Sequence, residues 1–399
     1  CSSCIFRNSA LGSLDATNNG TVETKEDVRK YVQLFDEHRH DIDGFVVLLP
    51  KGLIGLRERF TVSSAPADDE ALIDIAQQIA DAAPELTQFD AQVAAAFMLF
   101  SAHPADLVLP ETAMGAREDS TNVIARPALS VITPIALDHQ DALGPRLEDI
   151  AAHKAGIIKP GAPAIIARQE NAAREIIEAT AERIGAPLFR HGVEWDAYAN
   201  AGRLVVRTEA RALDLPLPAL TGVHQIDNAG LACAAMMQWR DFSDDAIAQG
   251  IANASWPARL QPLTRGAFSA PIRAIGGEVW VDGGHNAHAA HALSRALQQM
   301  KTRRGGTNIA IVGLRKRKDA LSFIAALVAG ADTIIAVPLS ADHVSVHQMA
   351  ALGDKLGREV ATAPSLAAAM QNAAQLPAPR VLICGSFLLA AEALAAENA

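Results

Sequence analysis

The sequence predicts an α/β protein built around parallel sheets. Short runs of β-branched and other apolar residues alternate with alanine-rich segments of helical periodicity along almost the whole chain. In the C-terminal part the apolar runs recur about 25 to 45 residues apart, which is typical of a strand, a crossover helix and a second parallel strand. With 399 residues, of which 50% are hydrophobic and 20% charged, the chain is long enough for two or three domains with cores of their own.

Residues 1–50 form an atypical N-terminal segment. A polar turn at Asp15–Gly20 precedes an amphipathic helix predicted over Glu23–Arg39 and a strand over Gly44–Leu49. Residues 13–50 resemble the N-terminal βαβ segment of fucose/arabinose-type sugar isomerases. A sugar isomerase would need a metal-binding Glu, Asp and His set, which this segment does not supply.

Residues 51–265 form a predicted central domain, and residues 268–399 a predicted C-terminal domain. In the central domain we predict these elements: helices Asp69–Ala83, Ala91–Phe100 and Leu147–Ala155, and strands Asp106–Leu109, Leu129–Thr133 and Ala164–Ala167. In the C-terminal domain we predict strands Glu278–Val281, Asn308–Val312, Thr333–Val337 and Arg380–Ile383, and helices His288–Met300, Leu321–Val328 and Leu366–Ala374.

Charge and cysteine content exclude several classes of protein. The formal net charge of −10 provides no broad basic surface for nucleic acid. No apolar run reaches the roughly 18 residues that cross a bilayer, so we expect no membrane partner. A chain that starts at Cys1 suggests a fragment or a processed start. The pair Cys1 and Cys4 has no second pair to complete a zinc site, and Cys233 and Cys384 lie in apolar runs, which indicates a reduced, cytoplasmic protein.

Three positions combine polar chemistry with a place at the end of a predicted element. Glu111 follows a strand, where open α/β sheets bind ligands, although a solvated loop is the simpler interpretation. His139, beside Asp138, is a candidate metal ligand or merely a helix cap. Lys154 is either a structural lysine at a helix end or, beside apolar neighbours, a desolvated and reactive amine.

Five ordered motifs connect these positions to a known family. They are the run Thr121–Ile166, Leu220-Thr221-Gly222-Val223-His224-Gln225-Ile226-Asp227-Asn228, Trp256-Pro257-Ala258-Arg259-Leu260, Asp282-Gly283-Gly284-His285-Asn286 and Cys384-Gly385-Ser386-Phe387-Leu388. On these motifs the chain resembles the folylpolyglutamate synthase/dihydrofolate synthase family of the Mur ligase superfamily. The resemblance implies a Mur-ligase-like central domain, incomplete at its N-terminus, and a Rossmann-like C-terminal glutamate-ligase domain.

The resemblance also implies an activity: ATP-driven addition of L-glutamate to dihydropteroate or tetrahydrofolate through an acyl phosphate, by a monomer. It implies magnesium held by Glu111, His139 and a carbamylated Lys154, with Lys154 and His139 as the catalytic residues, and it leaves room for potassium. The implied nucleotide contacts are Asn228, Arg259, Asp282 and His285. The implied folate contacts are Thr87, Phe89, Asp90, Asp119, Ser120 and Thr121.

The sequence departs from the family pattern in three places. No glycine-rich phosphate-binding loop ending in Gly-Lys-Ser/Thr occurs in residues 1–120, and the resemblance resumes only near Lys51. Ala113 and Ala116 stand where the family has glycine, and the loop Leu314–Asp319 is more basic than usual. Two hypotheses follow: an active ligase, or a homologue that binds folate or nucleotide without chemistry.

Overall fold

The computed structural model describes residues 2–7, 45–48, 60–62, 65–103 and 105–398, with only the backbone for 2–7, 45–48, 61–62 and 65–66. The predicted turn at residues 15–20, the predicted helix over 23–39, most of the isomerase-like stretch and residues 51–59 therefore lie outside the described residues. None of the described helices is both long and apolar enough to cross a membrane.

The chain folds into two compact units. The first comprises Cys1–Ala197, Val206–Ala212 and Gly230–Phe242, and the second Tyr198–Val205, Leu213–Ala229 and Ser243–Ala399. The boundaries at residues 50 and 265 stay a prediction.

An eight-stranded sheet organises the first unit. Its strands are β1 (Ser2–Arg7), β2 (Phe45–Leu48), β3 (Phe60–Val62), β4 (Ala65–Pro66), β5 (Leu107–Pro110), β6 (Leu129–Ile132), β7 (Ala164–Ile166) and β8 (Leu188–Arg190). The order is β4-β3-β2-β5-β1-β6-β7-β8. Strand β1 pairs antiparallel with both β5 and β6, so those two strands run in the same direction. Their carboxyl ends therefore meet at one edge, which is where ligands bind in open α/β sheets.

Helices cover this sheet with a continuous apolar core. They are α1 (Asp69–Ala82), α2 (Gln88–Ser101), α3 (Gln140–Leu143), α4 (Leu147–Lys154) and α5 (Asn171–Ile184). Phe100 of α2, Ile150 of α4 and Ile177 of α5 are almost fully buried in one cluster. Each such side chain contributes about 1.5–3 kcal/mol. Helix α2 begins three residues before the predicted start, because Thr87 caps it.

A six-stranded sheet organises the second unit. Its strands are β12 (Gln261–Leu263), β13 (Glu278–Val281), β14 (Thr307–Val312), β15 (Thr333–Ala336), β16 (Val360–Thr362) and β17 (Pro379–Cys384). In the order β12-β13-β17-β14-β15-β16 every pairing is parallel except that of β12 with β13. The loops that follow β13, β17, β14 and β15 therefore lie along one edge.

Six helices surround this second sheet. They are α8 (Ala270–Ala274), α9 (Ala287–Arg304), α10 (Ala320–Leu327), α11 (Val346–Lys355), α12 (Leu366–Ala373) and α13 (Phe387–Asn398). Helices α9, α10 and α12 lie close to the predicted positions, whereas α8, α11 and α13 were not predicted. Two helices precede them: α6 (His224–Trp239) and α7 (Asp244–Asn253). The α/β class is thus confirmed. The C-terminal sheet is almost wholly parallel, whereas the eight-stranded sheet is mixed, because β1 is antiparallel to β5 and β6 and the pairs β2–β3 and β3–β4 are antiparallel.

Sequence analysis missed a three-stranded sheet of β9 (Trp195–Asn200), β10 (Arg203–Thr208) and β11 (Ala212–Pro216). Its strands alternate buried and exposed residues, as a half-exposed sheet does, and β9 lacks the β-branched residues that mark a strand. Ala201 and Gly202, both with positive φ, form the tight turn between β9 and β10.

Candidate active site

A polar loop follows β5 in the first unit and wraps around the carboxylate of Asp119. Glu111 is its first residue and is half-buried. One carboxylate oxygen of Asp119 accepts hydrogen bonds from the backbone N–H groups of Ala113 (3.1 Å) and Met114 (2.9 Å). The other accepts from the N–H (3.0 Å) and the hydroxyl (2.6 Å) of Thr121. Asp119 therefore sets the course of the loop that carries Glu111.

Ala116 holds the conformation that sequence analysis expected to need glycine. Its φ is 144° and it is fully buried, and a non-glycine residue there costs about 1–3 kcal/mol. Arg117 anchors the loop to α4, because its N–H donates to the carbonyl of His153 (3.1 Å) and its guanidinium to that of Ala152 (3.0 Å). Contacts around the loop hold Ala116 in this strained backbone conformation, and such strain is typical of functional loops.

Lys154 is the last residue of α4 and lies among carboxylates. Burial lowers the pKa of Lys154, and the negative charges of Asp138, Asp119 and Glu111 oppose that shift. The structure therefore brings Glu111 and Lys154 together, in what we call the carboxylate–lysine cluster (Glu111, Asp119, Asp138 and Lys154). Asp138 is the member that the sequence-based site set omitted, although it adjoins His139 in the chain.

His139 stands next to this cluster in an unusual backbone conformation. It occupies the N-cap position of α3 with φ 53°, but its side chain makes no capping hydrogen bond. Its N–H donates to a carboxylate oxygen of Asp138 (2.9 Å), and its Nε2 lies 4.0 Å from the other oxygen. His139 thus occupies the cap position that the helix-cap interpretation predicts, but its imidazole does not cap the helix.

Whether a divalent cation fits here depends on which side chains can act as metal ligands. Across the described residues, no group of three or more His, Cys, Asp or Glu side chains could hold a metal ion. Glu111 and His139 supply a carboxylate and an imidazole, and an unmodified Lys154 would repel the ion. A carbamylated Lys154 would supply an anionic oxygen, so the set fits magnesium only with that modification.

The predicted folate residues form a hydrogen-bonded chain that ends at the carboxylate–lysine cluster. The Thr87 hydroxyl donates to one oxygen of Asp90 (2.6 Å) and accepts from its N–H (3.2 Å). The Ser120 hydroxyl donates to the other oxygen of Asp90. Ser120 lies between Asp119 and Thr121, so these residues are contiguous. Phe89 instead packs partly against the core.

In the second unit Asp282 closes a turn that presents Arg259. Asp282 follows β13 and is 6% exposed. Its carboxylate accepts hydrogen bonds from the N–H groups of Leu260 (2.8 Å) and Gly284 (2.6 Å). Burial raises the pKa of Asp282, whereas the positive charge of Arg259 and the two backbone N–H donors oppose that rise. The buried carboxylate of Asp282 is therefore satisfied by two backbone hydrogen bonds.

Arg259 lies between two residues in the left-handed region. Ala258 has φ 53° and Leu260 φ 44°, and both are fully buried. The Arg259 guanidinium lies 5.3 Å from the centre of the Phe387 ring, and the His285 ring lies 5.6 Å from the same ring. Phe387 therefore positions two predicted nucleotide residues through cation–π and aromatic contacts.

A third set of side chains at the start of α6 completes this group. Asn228 donates to the Gln225 side chain (3.0 Å), which contacts the His224 ring (3.2 Å). The His224 Nδ1 is buried without a hydrogen-bond partner in the described part of the chain. Burial and the positive charges of Arg259 and Arg295 lower the pKa of His224.

Sequence analysis missed His224 as a candidate, although Gly222 was a usable signal. Gly222 has φ 118°, and a Cβ there would lie 2.5 Å from the His224 ring. The second unit thus gathers Asn228, Arg259, Asp282 and His285 with His224. This arrangement of cationic and donor groups suits an anionic ligand.

Comparison with known families supports the class that these features define. Residues 271–387 match the family model described as Mur ligase, glutamate ligase domain. The second unit therefore contains a Mur-ligase-type glutamate ligase domain.

Relatives over most of the chain are more specific. The dihydrofolate synthase/folylpolyglutamate synthase of Escherichia coli (strain K12) is 32% identical over 308 residues, which cover 76% of this chain and 67% of that protein. The enzyme of the same name from Bacillus subtilis (strain 168) is 31% identical over 271 residues, or 62% of this chain and 59% of the relative. The chain thus spans about six tenths of the length of the Bacillus relative.

Solved structures agree with this assignment. E. coli FolC in complex with DHPP and ADP has 30% identity and a TM-score of 0.78, covering 88% of this chain and 81% of that one. A bifunctional folylpolyglutamate synthase/dihydrofolate synthase with Mn, AMPPNP and L-glutamate bound has 27% identity and a TM-score of 0.77, covering 89% and 83%. The chain belongs to the dihydrofolate synthase/folylpolyglutamate synthase family.

Proposed function

We propose that this protein is an ATP-dependent ligase that joins L-glutamate to the carboxylate of dihydropteroate or tetrahydrofolate. The observation that carries the proposal is the carboxylate–lysine cluster at the carboxyl edge of β5 and β6. Membership of the family and the Arg259–Asp282–His285 group in the second unit support it. Two buried free cysteines, Cys233 and Cys384, support a reducing cytoplasmic location.

The reaction brings together two anions, the folate carboxylate and the γ-phosphate of ATP. Positive charge at the site would lower their mutual repulsion. The folate carboxylate attacks the γ-phosphorus of ATP, ADP leaves, and an acyl phosphate results. The glutamate amine then attacks the acyl carbon, a proton leaves the nitrogen, and inorganic phosphate departs as the amide forms. Arg259 and His285 would hold the nucleotide, because guanidinium and imidazole groups donate to phosphate oxygens.

Glu111, His139 and a carbamylated Lys154 would hold magnesium, which when bound neutralises phosphate charge. Lys154 is suited to carbamylation because its burial favours the neutral amine, which is the form that reacts with carbon dioxide. Asp119 would position Glu111 through the loop. Thr87, Asp90 and Ser120 would present polar groups to the pteridine, and potassium stays a prediction.

The test is glutamate-dependent turnover of ATP. Purified protein is incubated with ATP, Mg²⁺, dihydropteroate or tetrahydrofolate, and L-glutamate, and phosphate release and product mass are measured. We expect one phosphate per amide formed and a loss of at least about 100-fold for Lys154→Met, because a charge-stabilising group is lost. Lys355→Met, which removes an exposed lysine at the end of α11, is the control and should retain activity.

A homologue that binds these ligands without joining them is the second candidate. One observation favours it: residues 1–120 contain no glycine-rich phosphate-binding loop. Calorimetric binding of ATP and dihydropteroate with no glutamylated product would establish this candidate and reject the ligase proposal.

A further inference from the structure

The loop between β14 and α10 carries four consecutive cations, Arg315-Lys316-Arg317-Lys318, in a chain of net charge −10. Arg315, Lys316 and Arg317 are exposed. Within the part of the chain that the structure describes, the side chains of these three residues make no ion pair or hydrogen bond. We call residues 315–318 the cationic loop.

The cationic loop is fixed in place at both of its ends. Leu314 is fully buried, and its carbonyl accepts the N–H of Val344 (2.9 Å). Arg315 forms an antiparallel bridge with His343, and the Lys318 N–H donates to the Arg315 carbonyl (3.0 Å). The cations are therefore displayed from a held backbone, which lowers the entropic cost of binding a ligand.

The cationic loop begins next to Cys384 and Gly385, at the carboxyl end of β17. The N–H of Gly313 donates to the carbonyl of Cys384 (3.2 Å), and a Cβ on Gly385 would lie 2.7 Å from the Gly313 carbonyl oxygen. Strand β17 separates β14 from β13 in the sheet, so the loops after β14, β17 and β13 are neighbours on one edge. The cationic loop thus shares that edge with Ser386 and His285.

Nearby carboxylates do not cancel the positive charge. Asp319 accepts the N–H (3.0 Å) and the hydroxyl (2.6 Å) of Ser322, as the N-cap of α10. Asp342, beside His343, is exposed. The three exposed cations, Arg315, Lys316 and Arg317, outnumber these two carboxylates, so a surplus of positive charge remains available to an anion.

We propose that the cationic loop binds the oligo-γ-glutamyl tail of a folate substrate, an inference that rests on the proposed ligase function. Each unit of such a tail adds one α-carboxylate, so the tail is a flexible polyanion. A single exposed ion pair is weak, and several along one tail combine. The loop therefore favours longer tails over a single glutamate. The phosphates of ATP share the anionic chemistry and are the competing source.

The experiment compares tail binding with and without the three exposed cations. Fluorescence anisotropy is measured with fluorescein-labelled penta-γ-glutamate and with labelled glutamate, at low and high salt. The test variant is Arg315→Gln/Lys316→Gln/Arg317→Gln. The control variant, Arg183→Gln/Arg303→Gln/Lys355→Gln, removes the same charge from the last turns of α5, α9 and α11.

We expect the test variant to bind the pentaglutamate about tenfold more weakly than wild type at low salt, with the difference shrinking at high salt. The control variant should bind it as wild type does, and ATP affinity should be equal in all three proteins. Thermal melts establish that each variant is folded.

Three outcomes would overturn the tail assignment. They are equal pentaglutamate affinity in wild type and test variant, an equal loss in the control variant, or a loss of ATP affinity in the test variant that matches its loss of tail affinity. Turnover by wild type alongside any of these would leave the ligase proposal standing. If pentaglutamate binding depends on the cationic loop but wild type shows no turnover, the ligase proposal is rejected and the tail-binding site is supported.

Discussion

At the residue scale, several residues of the candidate site are held by their neighbours in energetically costly conformations. Ala258 and Leu260 adopt left-handed backbone conformations on either side of Arg259, and Asp282 is buried to hold their turn. His224 is held with an unpartnered, buried ring nitrogen. Such states persist only where the surroundings enforce them, so small substitutions nearby should have large effects.

Gly222 provides a residue-scale test of the position of His224. In Gly222→Ala the new methyl group would overlap the His224 ring, and φ 118° disfavours alanine. We expect a destabilisation of about 2 kcal/mol in urea unfolding, together with weaker ATP binding by calorimetry. The matched control is Gly250→Ala in helix α7, where a Cβ meets no atom within 4 Å. It should instead stabilise by about 0.5–1 kcal/mol; equal effects of the two variants would contradict the steric argument.

Lys154 offers a chemical test at the same scale. Burial lowers its pKa, so its neutral amine becomes available at a lower pH than that of an exposed lysine. With ¹³C-bicarbonate we expect one carbamate carbon signal near neutral pH, which grows as the pH is raised through the lowered pKa. The signal should vanish in Lys154→Arg and persist in Lys355→Arg. A spectrum unchanged by Lys154→Arg would rule out this site of carbamylation.

At the scale of elements, the ends of helices and strands position the site. Helix α4 delivers Lys154 at its last residue, and the loop after β5 is tied to the same helix end through Arg117. Helix α2 begins at Thr87, whose hydroxyl both caps the helix and orders Asp90. Element ends combine free backbone groups with polar side chains, which is why candidate ligand contacts gather there.

Thr87 separates a capping role from a ligand-binding role. We expect Thr87→Ala to lower the free energy of unfolding by about 1 kcal/mol, because the N–H of Asp90 loses its acceptor. Thr87→Ser keeps the hydroxyl and should restore stability to within a few tenths of a kcal/mol. Dihydropteroate affinity is measured alongside by fluorescence titration. If affinity stays at the wild-type level in both variants, Thr87 acts only on the helix. A loss of affinity in Thr87→Ser, which keeps the cap, would indicate that the Thr87 methyl group contacts the folate directly.

At the scale of the whole molecule, each unit has its own sheet and core, and buried polar networks connect distant elements. In the second unit Arg380 is 3% exposed. It donates to Glu278 (3.2 Å), to Asn308 (2.9 Å) and to the carbonyl of Gly305 (3.1 Å). This network joins β13, β17 and β14 at the edge opposite the candidate site, so its loss should affect stability more than ligand binding.

The acid sensitivity of the second unit follows from Glu278. Burial acts to raise its pKa, but hydrogen bonds from Trp280, Arg380 and Arg304 outweigh burial and hold the pKa below its ordinary value of 4.5. A lowered carboxyl pKa contributes stability that is present above the unfolded value and lost as the pH falls through the folded value. We therefore expect urea unfolding to show declining stability below about pH 4.5.

Glu278→Gln tests this assignment directly. It should cost about 3 kcal/mol at pH 7, because Arg380 is left as a buried, unpaired charge, and it should flatten the decline at acid pH. The control Asp214→Asn breaks an exposed pair with Arg203 and should change stability by less than about 0.5 kcal/mol. An acid decline as steep in Glu278→Gln as in wild type would assign the effect to other carboxylates.

Local patterns were enough for much of the architecture. The predicted strands β5, β6, β7, β13, β14, β15 and β17 are rich in apolar residues, and the predicted helices differ from the observed ones by only a few residues. The short strand β16 was not predicted. The sheet of β9 to β11 escaped prediction because its burial alternates along short strands. Asp138 and His224 were present in quoted motifs, but only their neighbours in space show that they belong to the two groups of candidate site residues.

The sequence by itself determined the α/β class, the order of the motifs and hence the family, because periodicity and motif order are properties of the chain. Only the tertiary structure decided that Asp119 and Asp138 join Glu111 around Lys154, that Phe387 supports both Arg259 and His285, and that three exposed cations stand on the same sheet edge as Ser386. The physical reason is that charge–charge energies and burial depend on distances through space between residues far apart in the chain.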